Sequence, residues 1–379
     1  MAKETLPITP AVLSWARERA GYSLQEASGI FKKIATWEAG EAAPTYAQLE
    51  ALSNKFGLPI AAFFFPEPPA LPPIRESFRT LPDAEYNRLP PPMLLLLRKA
   101  KAMQLNLAEL CDGVNPVERL VTRELTVDEH APVERSAERI REFLGVTLDA
   151  QYAWRDGDVA LKAWRKAIQD VGIFVFKDAF HDDLYSGFSL YDSIFPVIFL
   201  NNSNAKTRQI FTLLHELAHL LFHTSGIDMP DERQIEATHG HARSIELLCN
   251  SIAAHVLVPN AAFALAVEGQ LLSEGTAERI ADRFSVSREM IYRKFLDRGW
   301  ITQDAYREAA RKWAGQLQRG DPGGDYYWTK IAYLGSDYID LALKRYSQNK
   351  IDEERLSDYL DTKPRNIAAL TERLQRSVR

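Results

Sequence analysis

His215-Glu216-Leu-Ala-His219 lies inside an apolar run, Phe211 to His223, of a 379-residue chain. If the run is helical, the two histidines are one turn apart on one face, and both imidazoles can bind a single metal ion. Zinc suits such a pair of nitrogens. Glu216, between them, can reach a water in the open position of the ion and act as general base. The competing reading is an amphipathic helix with two polar contacts, because a five-residue motif of this kind arises by chance. A second apolar segment, Ser244 to Val258, stops at Pro259 and carries one acid, Glu246. Burying Glu246 unpaired is costly, and a metal removes that cost, since two His, one Glu and a water make a catalytic zinc set. Zinc is the expected ion and Mn2+ the other possibility, a choice the Irving–Williams order leaves to availability.

Asn250 follows Glu246 by one turn and has two readings: a hydrogen bond to the far nitrogen of a ligand imidazole, or a bond between helices. His223 is expected to end the first helix, favourably for its dipole, because three collinear residues of one helix do not surround an ion tetrahedrally. Peptide hydrolysis at such a centre also needs a donor for the oxyanion. His181, Tyr185 and Arg208 are the candidates, and no spacing rule selects one of them.

The elements that must hold these residues are short. A helix is expected over Asp158 to Val171. Gly172-Ile-Phe-Val-Phe176 and Pro196-Val-Ile-Phe-Leu200 read as buried strands, with a strand-like Gly187-Phe-Ser-Leu190 between them. Upstream, residues 1–65 read as a helical module opened by Thr9-Pro10. A proline-rich connector follows over 66–92, then helical segments over 93–155. Residues 156–302 form the expected catalytic domain, including a helix-turn-helix-like pattern at 275–301, and residues 303–379 a helical extension.

The metal-site segments together are similar to the ImmA/IrrE family of zinc metallopeptidases. The residues that carry the resemblance are Arg208-Gln-Ile-Phe-Thr-Leu-Leu-His-Glu-Leu-Ala-His219, then Glu246-x-x-Cys-Asn250-x-x-Ala-Ala-x-x-x-x-Pro259, with Gly187-Phe-Ser-Leu-x-Asp192 and Pro196 to Asn201 before them. Trp37-Glu-Ala-Gly40 to Leu52 resembles the second half of an Xre-type helix-turn-helix, as in a longer subgroup of that family. The resemblance implies an α+β, mainly helical protein: a zincin-like metallopeptidase core with a small sheet, an N-terminal helix-turn-helix-like domain and a C-terminal helical extension. It also implies a substrate, a helix-turn-helix repressor of a stress, mobile-element or toxin–antitoxin operon.

Direct DNA binding by the N-terminal module has two features against it. Thirteen residues separate Ser23 from Trp37, short for two helices and a turn, and residues 1–67 carry six basic and seven acidic side chains where a phosphate-binding face should be basic. A regulatory or docking role is the expectation. A DNA-binding regulator, or an antitoxin-like binding protein with a non-catalytic metal site, is the alternative to the peptidase. A net charge of −5 gives no general pull towards nucleic acid. Two cysteines make no disulfide framework, and no apolar run approaches membrane-spanning length. The expected address is the cytoplasm, with no membrane partner. The oligomeric state is left open.

Overall fold

The computed structural model describes residues 4–70, 86, 87, 89–180, 182, 184–228, 241–314 and 324–377. His181, most of the 66–92 connector and residues 229–240 lie outside them. The chain divides into two compact units, Met1–Ala102 and Met103–Arg379.

In the first unit, α1 (Pro10–Arg19) starts with proline at its first turn, where a missing N–H costs nothing. α2 (Leu24–Ile30) is closed by a reciprocal capping box between Ser23 and Glu26. α3 (Ile34–Glu38) is barely more than one turn, and α4 (Tyr46–Phe56) ends on left-handed Gly57. Leu13, Ile34, Trp37, Leu49, Leu52 and Phe56 fill the centre. Arg17 is buried with them: it grips both oxygens of Glu38 at 2.7 and 3.1 Å and donates to Tyr22 O at 2.8 Å, fixing α1 to α3. α5 (Pro91–Leu110) begins in this unit, where Arg98 donates to the C-terminal carbonyls Arg19 O, Phe56 O and Gly57 O.

The second unit is built on a four-stranded mixed sheet. Its strands are β1 (Phe174–Asp178), β2 (Gly187–Leu190), β3 (Val197–Asn201) and β4 (Ile227–Asp228), in the order β1-β3-β2-β4. β1 and β3 are parallel, whereas β2 runs antiparallel to both β3 and β4. One face carries a row of rings, Phe176, Phe199 and Phe188, and Tyr338 meets Phe176 edge-on from a later helix. Period-two alternation sends Val175, Ile198, Leu200, Gly187 and Ser189 to the other face. That face packs against α6 (Gly157–Gln169) and α7 (Lys206–Leu221). The expected mainly helical α+β character is present. β2 has the bounds the pattern suggested, β3 starts one residue later, and β1 starts two residues later because Gly172 turns the chain at a left-handed φ of 90° before it.

α7 lies flush on β2 because β2 offers it small residues. A Cβ placed on Gly187 would stand 2.5 Å from Thr212 Cγ2 and 2.7 Å from the Phe199 carbonyl oxygen. α8 (His241–Leu257) crosses α7 and stops at Pro259; α9 (Asn260–Val267) follows. The end of α8 is held from outside by buried side chains: Arg141 donates to Val256 O at 2.7 Å and Gln151 to Leu257 O at 2.9 Å. The 275–301 pattern forms α10 (Glu274–Phe284) and α11 (Arg288–Asp297), capped by Ser273 and Ser287. Their apolar residues Ala277, Ile280, Phe284, Ile291 and Phe295 belong to the common core, which is scaffold use. Among the described residues no single helix is long and apolar enough to cross a membrane. Helices α8 and α9 satisfy length and composition only as a pair bent by 57°, and Cys249, Ile252, Ala253, Val256 and Phe263 on them are buried in the core.

Gly187→Ala forces a methyl group against backbone that cannot yield. It is expected to lower stability by about 1–3 kcal/mol, read as a lower urea midpoint at unchanged slope.

Candidate metal centre

The helical spacing of His215 and His219 on α7 brings their Nε2 atoms to 3.0 Å from each other. Glu246 on α8 reaches in from the crossing helix, with Oε2 3.4 Å from His215 Nε2 and Oε1 3.1 Å from His219 Nε2. Both histidines are buried and Glu246 is nearly so. Three ligands held about 2.0–2.1 Å from one tetrahedral ion stand roughly 3.3–3.4 Å apart. The observed separations are close to that, and the donor set of two imidazoles and a carboxylate suits zinc or another divalent ion. Among the described residues these three are the only His, Cys, Asp or Glu group with such convergence.

The electrostatics are those of charged groups forced out of water. Burial pushes the Glu246 carboxyl up, but the two imidazoles outweigh it and hold the group well below the usual carboxylate range. Burial works against protonated His215 and His219. The hydrogen bond His215 donates to Glu246 and the charge of Asp228 still raise His215, and Cys249 and Glu246 raise His219 further.

The free nitrogen of His219 is oriented by Thr224. The Thr224 hydroxyl gives its one proton to His219 O at 3.0 Å, so at 3.3 Å it accepts from Nδ1–H of the same residue. That fixes the tautomer and leaves the Nε2 lone pair free to face His215 and Glu246, where a metal ion could be held. The turn that carries Thr224 back onto α7 depends on His223, which takes a left-handed φ of 57° just past the helix. His223 therefore points away, donating to Thr122 O at 3.1 Å and lying against Tyr191. Gly226 completes the cradle, since a Cβ there would lie 2.5–2.8 Å from three atoms of the His219 ring.

Glu216 is fully buried one residue after His215. Burial raises its pKa, against the pull of the two histidines and of a 2.6 Å hydrogen bond from Ser189 Oγ to Oε2. Its other oxygen, Oε1, is buried and has no hydrogen-bond partner among the described residues, and the same holds for His215 Nδ1. Asn250 is half-buried and makes no hydrogen bond to either imidazole.

The three oxyanion candidates separate. His181 lies outside the described residues. Tyr185 is a buried ring beside the sheet, with its hydroxyl pushed up by burial, and it makes no hydrogen bond to the four central residues. Arg208 is two turns before His215 and committed elsewhere: it holds both oxygens of Asp228 at 2.9 and 3.0 Å and donates to Ser186 Oγ at 3.0 Å. Asp228, on the edge strand β4, also accepts from Thr212 Oγ1 at 2.7 Å. Sequence reasoning missed Ser189, Thr224, Gly226 and Asp228. The Gly187-x-Ser189 alternation was the one available signal, since it places small residues on one face of a strand.

Residues 168–296 match the model of a peptidase family described as the IrrE N-terminal-like domain. His215, Glu216, His219, Glu246 and Ser189 all fall within that span, whereas the N-terminal unit and the C-terminal helices fall outside it. No curated protein matches the chain.

Replacing Thr224 by the isosteric Val removes the partner of His219 Nδ1 and leaves the fold. Zinc affinity should fall by about 10- to 100-fold in competition with a chelating dye, with helicity by circular dichroism unchanged.

Proposed function

We propose that the chain is a zinc-dependent endopeptidase with a zincin-like core. The observation that carries this reading is the convergence of buried His215, His219 and Glu246 beside a buried carboxylate, Glu216, whose Oε1 has no partner among the described residues. The peptidase-family match over the same residues supports it. When bound by His215, His219 and Glu246, the metal would supply Lewis acidity, lowering the pKa of a water and polarising a peptide carbonyl.

The protein's own part is proton transfer and exclusion of bulk water. Glu216 takes a proton from the attacking water as its oxygen bonds to the carbonyl carbon. The same carboxyl then gives that proton to the amide nitrogen as the C–N bond breaks, so acid and amine products leave with atoms balanced. The burial that raises the Glu216 pKa favours this role, because a base with a pKa nearer neutrality both accepts and returns a proton readily. The carboxylate of Glu246 offsets charge at the centre. Thr224 and Gly226 keep the His219 ring in one plane.

The substrate we propose is a helix-turn-helix repressor in the same cell, cleaved at one site under a condition such as DNA damage. The resemblance of residues 37–52 to an Xre-type module supports it, since such a module is suited to recognising a related protein. Residues 37–52, which resemble the second half of such a module, are built on α3 and α4, with Trp37 in the core. The cytoplasmic address is part of the proposal, and two free, buried cysteines, Cys111 and Cys249, are in keeping with a reducing compartment.

Glu216→Gln should bind zinc as the parent does and lose activity by roughly 10²- to 10⁴-fold. New protein N-termini are compared between cells expressing parent or Glu216→Gln, with and without DNA damage. A fragment that appears only with the parent names the substrate. A Glu216→Gln protein that cleaves at the parental rate sinks the assignment.

A further inference from the structure

Glu216 has two carboxylate oxygens, and general-base chemistry uses one. A buried carboxylate that is free to rotate about its last torsion presents either oxygen to the water, or neither, since that torsion is soft. Ser189 removes this freedom. It sits on β2 opposite Ile198, fully buried on the face covered by α7, with Oγ 2.6 Å from Glu216 Oε2.

A serine hydroxyl has one proton to give. Gly226 N–H donates to the same Ser189 oxygen at 3.2 Å, so the lone pairs face Gly226 and the proton faces Glu216. The main chains of the two residues are bonded as well, Ser189 N to Gly226 O at 3.0 Å. Gly226 is also the residue pressed against the His219 ring. One small unit, a strand serine and the glycine across from it, therefore touches the carboxylate through a hydroxyl and a metal-ligand ring through bare backbone.

We propose that Ser189 is a positioning residue: it pins Oε2 of Glu216 so that Oε1, the oxygen without a partner among the described residues, is the one presented to the attacking water. The inference rests on the metallopeptidase reading. The rival explanation is a buried hydroxyl that merely ties β2 to the segment leading into β4. In that case its loss costs stability but does not act through Glu216.

The test uses the full-length, zinc-loaded protein with a pool of internally quenched peptides, comparing the parent with Ser189→Ala, Ser189→Thr, Glu216→Gln and the Ser189→Ala/Glu216→Gln pair. Ser189→Ala should lower kcat by about 10- to 100-fold, the scale of a misaligned catalytic group, with KM and zinc stoichiometry close to parental. Threonine keeps the hydroxyl and is favoured in strands, so Ser189→Thr should recover most of the rate. In the Glu216→Gln background, Ser189→Ala should add no further loss, because residues acting as a unit are not additive. An equal further loss there overturns the proposal.

A second readout needs neither zinc nor a cleavable peptide. In metal-free protein the drop in urea midpoint caused by Ser189→Ala should differ between the parental and the Glu216→Gln backgrounds, and strict additivity overturns the contact. The two readings fail separately. A fully active Glu216→Gln removes the peptidase reading, whereas an inactive Glu216→Gln beside a fully active Ser189→Ala removes only the role of Ser189.

Discussion

The structure of the second unit depends on one constraint: four ionisable side chains, His215, Glu216, His219 and Glu246, are taken out of water between two helices and a sheet. Moving a single carboxylate or imidazolium into such surroundings costs several kcal/mol unless it is paired. Each of the four therefore dictates a neighbour. Glu246 reaches the two histidines from a second helix. Thr224 and Ser189 come from the turn after α7 and from β2, the segments that lie against its inward face. The apolar residues around them then follow from packing α7 on nearly every side.

Close approach of backbone is the second consequence. A helix can bring Glu216 within a hydrogen bond of Ser189 only if the strand beneath is low, and β2 is low because position 187 is glycine. The same economy recurs at Gly226 against His219. Neither glycine has a left-handed φ, so what each supplies is room and not backbone freedom. Arg208, Thr212, Ser186 and Asp228 form a polar strut on the other side, tying the first turns of α7 to the edge strand. Burial of Asp228 is tolerable because it accepts three side-chain hydrogen bonds, two of them from a guanidinium.

How much of this was legible follows from the range of each signal. His215, Glu216 and His219 announce themselves because two histidines four residues apart share one face of a helix, and Glu246 because one acid in a greasy helix needs a reason. The helix expected at 158–171 appears at Gly157–Gln169, β1 and β3 shift by two residues and one, the ordinary uncertainty of element ends, and β2 does not shift. Ser189 could be placed on a strand but not aimed, since its direction depends on a register set by β3. Thr224 was hidden behind a left-handed histidine, a conformation that non-glycine residues adopt only when the surroundings enforce it. Arg208 looked available for an oxyanion because its partner sits twenty residues on, in a strand of two residues that no periodicity marks.

The two helix-turn-helix-like patterns show why pattern alone does not decide use. Both read as paired helices along the sequence, but what matters is which face is consumed. In α10 and α11 the face with Ala277, Ile280, Phe284, Ile291 and Phe295 is spent on the core shared with α7 and α8. Lys294 is buried as well, and desolvation drives its ammonium down to about 8. A cation buried that deeply is poorly placed to neutralise a phosphate. In the N-terminal unit the same accounting removes Arg17, whose charge is spent on Glu38. Charge read from sequence measures what a surface could offer, and burial and pairing decide what is left for a partner.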